Sequence, residues 1–248
     1  TEAVNITLKG EGRIDGKGKK WWDEFYRVIV DLKANGMRDL NKYQPMWDKA
    51  NDVKSLYAET NEDYISSMQR RFFRPPFIQP IRCKNFRIEG ITIVNSPFWT
   101  VNPEFCENVT IDRVTIINPP SPNADGMNPE SCRYVHISNC HISVGDDCIT
   151  LKSGRDLQGR KLNVPNENIT ITNCTMLAGH GGVVIGSEMS GGVKKVVISN
   201  CVFDGTDRGI RIKSTRGRGG VVEDIQVNNI VMKNIKQEAI IMDLLYTK

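Results

Sequence analysis

A repeated pattern of apolar residues constrains the fold of this chain more than any other feature of its sequence. Six segments carry apolar side chains at their first, third, sixth and eighth positions, although apolar residues form only 39% of the chain. Successive segments start 23 to 34 residues apart, which is too short for helical repeats and too irregular for a propeller. The residues are Phe86, Ile88, Ile91, Ile93; Val109, Ile111, Val114, Ile116; Val135, Ile137, Cys140, Ile142; Ile169, Ile171, Cys174, Met176; Val196, Ile198, Cys201, Phe203; Ile225, Val227, Ile230 and Met232. The pattern predicts an all-β parallel solenoid with two short strands in each unit.

Two rows of identical residues follow from the same alignment of coils. An asparagine stands at the bend between the two strands in four coils, and a cysteine follows it in three of them. Asparagine tolerates the left-handed backbone conformation and forms hydrogen bonds along a stack of identical neighbours. We therefore interpret the asparagines as a structural ladder and the cysteines as buried thiols. The rows are Asn139, Asn173, Asn200 and Asn229, and Cys140, Cys174 and Cys201.

The later coils and the N-terminal part differ from the simple repeat. A third strand is predicted in each later coil, over residues 149–152, 183–186, 209–213 and 239–242. Residues 21–78 interrupt the rhythm with three tryptophans and many charges, and we interpret them as an irregular or helical insertion. Residues 1–248 are predicted to form one domain around this insertion. No amphipathic capping helix follows the last coil, so we expect terminal coils to be missing.

Composition and charge exclude some classes of protein but identify no partner. No run approaches eighteen apolar residues, so no membrane-spanning helix is predicted. The net charge of +4 does not by itself indicate a polyanionic partner. The seven cysteines lack the spacing of a zinc site or of a disulfide-stapled scaffold. We therefore expect a globular protein with no metal or other cofactor, and with neither nucleic acid nor a membrane as partner.

Charged residues follow the second strand at matching heights of four consecutive coils. They are Asp125, Asp146, Asp147, His180, Arg211 and Lys213. Because coils stack about 4.8 Å apart, these side chains are expected to converge on one patch. Because neighbouring carboxylates repel one another when both are charged, the pKa of at least one of them is raised. One carboxyl can then act as the acid while another acts as the base, as glycoside hydrolysis requires. The sequence therefore predicts an acid–base active site on one side of the solenoid.

Glycines and a pair of cations add detail to this predicted site. Gly145 predicts a turn that brings both adjacent aspartates to the cleft, and the glycines around His180 predict an exposed, closely approached imidazole. Arg211 and Lys213 lie two positions apart on a strand and therefore face the same side. We expect both cations to be exposed, and to bind an anion such as a substrate carboxylate.

Four short motifs, in this order, resemble those of polygalacturonases, which form glycoside hydrolase family 28. The motifs are Asn123-Ala124-Asp125, Gly145-Asp146-Asp147, Gly179-His180-Gly181 and Arg211-Ile212-Lys213. The resemblance implies a right-handed parallel β-helix that hydrolyses α-1,4-linked galacturonate in pectin with inversion. It also implies a secreted or periplasmic protein, although these 248 residues contain no signal-peptide pattern. Ala124 departs from the family, which usually has threonine there.

The resemblance further implies a role for each motif residue. Asp146 is the expected general acid, and Asp125 and Asp147 are expected to activate water. His180 is expected to assist protonation of the acid or to hold the substrate. The expected substrate-binding residues are Asn123, Gly181, Arg211 and Lys213.

The mode of action leaves alternatives open. Two segments, residues 70–76 and 95–99, are similar to segments of bacterial exo-acting members, so an exo-acting enzyme is predicted. The arginines of the first segment either bind a terminal sugar or lie at the surface. The alternatives are an endo-polygalacturonase, a rhamnogalacturonan hydrolase, or a noncatalytic β-helix that binds acidic polysaccharide. A lyase would need a calcium site and a basic proton abstractor. The sequence makes no prediction of oligomeric state.

Overall fold

The structure is a computed structural model that describes residues 1–34 and 74–246. Residues 35–73, and with them most of the predicted insertion 21–78, lie outside the described residues. Helix α1 (Lys19–Ala34) begins this region, and its Trp22 indole donates a hydrogen bond of 3.0 Å to the carbonyl oxygen of Ser96. This contact fastens α1 to the coils that follow. No helix in the described ranges is long and apolar enough to span a membrane.

The described residues form sixteen strands and a second helix, α2 (Asp156–Leu162). The strands are β1 (Val4–Lys9), β2 (Arg13–Asp15), β3 (Lys84–Glu89), β4 (Thr92–Val94), β5 (Glu107–Asp112), β6 (Thr115–Ile117), β7 (Arg133–Ser138), β8 (His141–Ser143), β9 (Asp147–Leu151), β10 (Asn166–Thr172), β11 (Thr175–Ala178), β12 (Gly181–Gly186), β13 (Val193–Asp204), β14 (Ile210–Lys213), β15 (Val222–Lys233) and β16 (Ile240–Asp243). All pairs between these strands are parallel. The predicted right-handed parallel β-helix is confirmed.

The coils contribute strands, or in the N-terminal coils isolated bridges, to three faces of the solenoid. The first face runs through β1, β3, β5, β7, β10, β13 and β15, and the second through β2, β4, β6, β8, β11 and the later parts of β13 and β15. The third face is the sheet β9-β12-β14-β16, which isolated bridges such as Met127 with Ile149 extend toward the N-terminus. The four predicted third strands correspond to β9, β12, β14 and β16. Three-strand coils are therefore confirmed.

Strand register reproduces the apolar repeat. Phe86 pairs with Val109, and the same row continues through Val135, Ile169 and Val196. Because identical positions stack, their side chains fill the interior together, and the inner residues of the middle coils are at most 5% exposed. Val227 of β15 is 38% exposed, since β15 has a strand neighbour on one side only among the described residues.

The pattern missed the first coil and helix α2. Ile6 pairs with Phe86 and Ile14 with Ile93, so β1 and β2 form a coil like the others. The bend between them has one additional residue, which shifts its second strand out of the repeat. Helix α2 lies within the 34-residue interval between Val135 and Ile169, the longest interval of the repeat.

The two predicted rows of identical residues are present. The four ladder asparagines have left-handed backbone angles, with φ between 51° and 56°. Asn173 donates to Asn139 at 3.4 Å and Asn229 donates to Asn200 at 3.2 Å, whereas Asn200 donates to Thr172. All seven cysteines are buried free thiols. The ladder therefore holds with one interruption, and the cysteines are core residues.

Candidate active site

Three aspartates lie together where the second face of the solenoid turns into the third. One oxygen of Asp125, one of Asp146 and one of Asp147 are all within 4.8 Å of one another. Asp125 and Asp147 are 3% and 1% exposed, whereas 18% of the Asp146 side chain is exposed. The convergence expected from the sequence is therefore present, and Asp146 is the carboxylate that faces the opening.

Gly145 brings the two adjacent aspartates to the site by close packing. A Cβ on this residue would lie 2.7 Å from the backbone nitrogen of Ser121 and 2.8 Å from Cα of Pro120. Gly145 and Asp146 form a bend just before β9, and the φ of Gly145 lies outside the left-handed region. Glycine is required because the preceding coil leaves no room for a side chain.

Asp146 accepts hydrogen bonds from several directions. His180 Nδ1 lies 3.2 Å from Asp146 Oδ1, and the backbone N–H of Asp147 donates to the same oxygen at 2.9 Å. Asn123 Nδ2 lies 3.5 Å from Asp146 Oδ2. The imidazole is 54% exposed, as the surrounding glycines predicted. Asp146 and His180 therefore form a pair at the mouth of the site.

Lys213 forms a buried ion pair with Asp147. Its Nζ lies 2.6 Å from Asp147 Oδ2, and the two side chains are 6% and 2% exposed. The expectation that both cations are exposed is therefore wrong: β14 buries Lys213 beneath the carboxylates, and Arg211 is half-buried. Arg211 faces the same side: Tyr246 lies under both cations, 5.3 Å from the Arg211 guanidinium and 5.0 Å from Lys213 Nζ. The Nε of Arg211 is buried, with no hydrogen-bond acceptor in the described part of the chain.

Gly181 lies between Asp147 and Arg211. A Cβ at this position would meet Val184 Cγ2 at 2.5 Å, Asp147 Oδ1 at 3.5 Å and Arg211 Cβ at 4.0 Å. A larger residue would therefore intrude between the carboxylate and the cation. Five of the predicted site residues line one pocket, namely Asn123, Asp125, Asp146, Asp147 and Lys213. The other three lie next to residues of that pocket: His180 beside Asp146, Gly181 beside Asp147 and Arg211 beside Tyr246.

The environment separates the pKa values of the titratable groups. Burial, followed by the charge of Asp146, holds the pKa of Asp125 well above its ordinary value. Burial also acts to raise the pKa of Asp146, but the hydrogen bond from His180 and the charge of Lys213 outweigh it and lower that pKa. The hydrogen bond to Asp146 raises the pKa of His180. Of Asp125 and Asp146, Asp125 therefore retains its proton to the higher pH in the free protein, while Asp146 is ionised beside His180.

Several residues of the pocket were not predicted as site residues from the sequence. Lys152 Nζ pairs with Glu188 at 2.8 Å and lies 4.7 Å from the Trp99 ring centroid. Lys152 follows Val135 by the same number of residues as Lys213 follows Val196, so the repeat contained a signal for it. Tyr246 occupies no repeated position, so the sequence contained no signal for it. The additional residues lining the pocket are Phe98, Trp99, Lys152, Ser187, Glu188 and Tyr246.

The donor set of the site does not favour a metal ion. The three carboxylates are close enough to share a cation. However, Lys213 Nζ already occupies Asp147 Oδ2, and the charge of Lys152 acts on Asp125 and Asp146. Two buried lysines therefore offset part of the negative charge of the cluster from within the chain.

The fold and the site define a parallel β-helix protein with a carboxylate cluster on one side. Residues 64–248 match the sequence profile of "Glycosyl hydrolases family 28". The chain therefore belongs to glycosyl hydrolase family 28.

Individual relatives agree with this membership. A "Probable polygalacturonase" of Vitis vinifera is 32% identical over 95% of this chain and 40% of its own length. An "Endo-polygalacturonase" of Pectobacterium carotovorum subsp. carotovorum is 30% identical over all of this chain and 52% of its own length. The crystal structure of an exopolygalacturonase from Thermotoga maritima is similar with a TM-score of 0.80 and 36% identity, covering 98% of this chain and 54% of that one. The chain thus spans about half the length of the relatives that it matches.

Proposed function

We propose that this chain carries the active site of a polygalacturonase, which hydrolyses α-1,4-galacturonosyl linkages in pectin or polygalacturonate. The observation that carries the proposal is the cluster of Asp125, Asp146 and Asp147 within 4.8 Å, with His180 and two cations beside it. This arrangement offers a proton donor, acceptors for a water molecule and positive charge for an acidic sugar. The partner is accordingly a pectic polysaccharide or oligogalacturonide outside the cell.

Asp146 is the proposed general acid because it is the most exposed carboxylate of the three and therefore the one that reaches a glycosidic oxygen. Its lowered pKa in the free protein requires a proton source at the moment of reaction. His180, with a raised pKa and 3.2 Å from Asp146 Oδ1, supplies that source. A bound galacturonate also adds negative charge and excludes water, both of which raise the pKa of Asp146. The proton then passes to the leaving oxygen as the glycosidic bond breaks.

Asp125 and Asp147 are the proposed water-activating residues. Asp125 Oδ1 and Asp147 Oδ1 are buried and have no hydrogen-bond partner within the described residues. Two buried acceptors of this kind suit a water molecule held between them. Asn128 Nδ2 donates to the other oxygen of Asp125 at 3.1 Å and holds that carboxylate in place.

The stereochemical outcome is a sharp test of these roles. Carboxyl groups about 5–5.5 Å apart are typical of retaining glycosidases and groups about 6.5–9.5 Å apart of inverting ones. The close spacing of this cluster favours retention by that rule, whereas the resemblance to polygalacturonases implies inversion. We propose inversion, because the two unpartnered oxygens favour direct attack by water over a glycosyl-enzyme intermediate.

Exo action is proposed on narrower grounds. Phe98 and Trp99, from the segment that resembles exo-acting members, line the pocket. Arg74, from the other segment, is 0% exposed, so it neither presents its guanidinium to a terminal sugar nor lies free at the surface. Arg70 and Arg71 lie outside the described residues. The similarity to an exopolygalacturonase supports exo action, and the similarity to an endo-acting relative supports the alternative.

Early products from polygalacturonate test the proposal. The protein is expected to release galacturonate monomer first by chromatography, with inverted anomeric configuration by proton NMR. Mixed oligomers would replace exo with endo action, and net retention would make Asp125 or Asp147 a nucleophile. An unsaturated product would indicate a lyase, and preference for rhamnogalacturonan would change the substrate. Binding without any product, from wild type and Asp146→Asn alike, would leave a noncatalytic polysaccharide-binding β-helix.

A further inference from the structure

Arg74 is buried beside the carboxylates, without touching them, in a site that encloses it on every side. It is 0% exposed, and its guanidinium carbon lies 3.8 Å from the ring centroid of Phe25 on α1 and 4.8 Å from that of Phe98. A guanidinium between two aromatic faces is held in position by cation–π contacts. The planar group is thus fixed before its hydrogen bonds are considered.

Within the described residues, Arg74 donates its hydrogen bonds to the first motif and to the residue before it. Nη1 donates to the carbonyl oxygen of Pro122, and Nη2 donates to Asn123 Oδ1 at 2.9 Å. Asn123 has a left-handed backbone with φ of 53°, a conformation that asparagine tolerates. Arg74 therefore contacts the backbone before Asn123 and the side chain of Asn123 together.

These contacts determine which end of the Asn123 amide faces Asp146. A guanidinium has donors and no acceptor, so only the amide oxygen can point toward Arg74. The NH2 group then faces Asp146 Oδ2, at 3.5 Å. In the opposite orientation, the amide NH2 group would face the donors of Arg74, and the amide oxygen would face a carboxylate oxygen of Asp146. The chain of contacts therefore runs from Arg74 through Asn123 to Asp146.

We propose that Arg74 is a positioning residue of the active site, which acts through the Asn123 amide to orient Asp146. This inference rests on the proposed function for its kinetic readout. Burial lowers the pKa of Arg74 to about 10, against the opposing charges of Tyr26, Asp125 and Asp146, so the guanidinium stays charged at neutral pH. Arg74 thereby adds a fixed positive charge beside Asp125 and Asp146. The charged and titratable groups acting on Asp146 from the other elements include Asp125, together with His180, Lys213 and Lys152.

The test combines Arg74→Gln and Arg74→Lys with a double-mutant cycle on Asn123→Ala. Arg74→Gln is expected to lower kcat about 10–100-fold with KM changed by less than about threefold, because alignment is lost while the surface that contacts substrate is kept. Its acid limb in the kcat/KM profile should move to higher pH, since removing a cation raises the pKa of nearby carboxyls. Arg74→Lys keeps the charge, so it should leave that limb in place and restore part of kcat.

The cycle asks whether Arg74 acts through Asn123. In the Asn123→Ala background, Arg74→Gln should change kcat by less than about twofold, because the mediating amide is already gone. Full additivity of the two changes, or a loss confined to KM, would overturn the proposal. Two controls address folding: Ile88→Ala, a buried core residue of β3 that does not line the pocket, and Arg82→Gln, whose half-exposed guanidinium lies 6.0 Å from the Phe105 ring. Both should leave kcat per folded molecule unchanged.

A readout without turnover separates this inference from the proposed function. A carbon-13 NMR titration of the aspartate carboxyls should place Asp146 at a higher pKa in Arg74→Gln than in wild type. If wild type hydrolyses no pectic substrate but this shift is present, the proposed function fails and the positioning role stands. If wild type is active and neither kcat nor the Asp146 pKa responds to Arg74→Gln, the positioning role fails and the function stands.

Discussion

The asparagine ladder and the carboxylate cluster are built from the same coils, yet they solve opposite problems. The ladder repeats one residue type at one height, and its members donate to each other or to a hydroxyl at the surface. The cluster places a different residue at each height, Asp125, Asp146 with Asp147, and then His180, and buries most of them among opposite charges. In a stacked fold, repeating one residue type lets each coil satisfy the hydrogen-bonding groups of the next. Placing different residues at successive heights instead brings opposite and unequal charges together in one active site.

Asp146→Asn should give the largest effect, because it converts a member of the cluster into the residue type of the ladder. The amide has nearly the same shape but donates a proton far less readily, so kcat on polygalacturonate is expected to fall about 10²–10⁴-fold. Thermal unfolding should change little, since the new amide oxygen can still accept from His180 and the Asp147 N–H. Retention of more than a tenth of the wild-type rate would mean that another residue is the acid, with Asp125 as the first candidate because of its raised pKa.

Lys213→Met sharpens the contrast in energetic terms. The change leaves Asp147 charged and buried without its partner, which typically costs about 3–5 kcal/mol of unfolding free energy. The matched control is Lys236→Met, which removes a 63% exposed lysine from its pair with Asp207 and should cost less than about 1 kcal/mol. Urea denaturation of the two variants measures both values. Equal losses of unfolding free energy in the two variants would show that the buried ion pair stabilises the fold no more than the exposed one.

Arg211→Gln separates substrate recognition from this structural role. Loss of a charge-assisted contact of about 1.5–3 kcal/mol should lower kcat/KM on polygalacturonate about 10–100-fold. Stability should change by less than about 1 kcal/mol, because Arg211 has no ion pair in the described ranges. Methyl-esterified pectin lacks the carboxylate charge, so the variant should lose less on it. Equal losses on both polymers would remove carboxylate recognition from the role of Arg211.

The difference between the two regions also explains what the sequence could predict. The sequence predicted the ladder, the core rows and the third strands because each of them repeats a residue type at corresponding positions of successive coils. The same physical requirement is therefore visible several times in the sequence. The motif residues were found because they break that interval, together with a resemblance to known enzymes. Arg74 and Tyr246 follow no interval, and only the folded chain brings them to the site. The burial of Lys213 was missed because its strand alternation specifies a face but not how deeply that face is covered.

Asn173→Ala should give the smallest effect and tests whether the ladder is separate from the cluster. Asn173 has φ of 54°, donates to Asn139 at 3.4 Å and accepts from the Thr172 hydroxyl at 3.4 Å. Alanine therefore loses two long hydrogen bonds and must hold a backbone region that costs a non-glycine residue about 1–2 kcal/mol. Because asparagine already bears part of that cost, we expect a net loss of about 1 kcal/mol of unfolding free energy. Asn173→Gly keeps the left-handed backbone conformation accessible and should lose less unfolding free energy than the alanine variant if φ dominates, although glycine adds freedom to the unfolded chain.

Neither variant should alter kcat per folded molecule, since Asn173 precedes His180 by seven positions and lies beyond the opposite end of β11. A tenfold change in kcat would mean that the ladder sets the height of the imidazole, and that the two regions work as one.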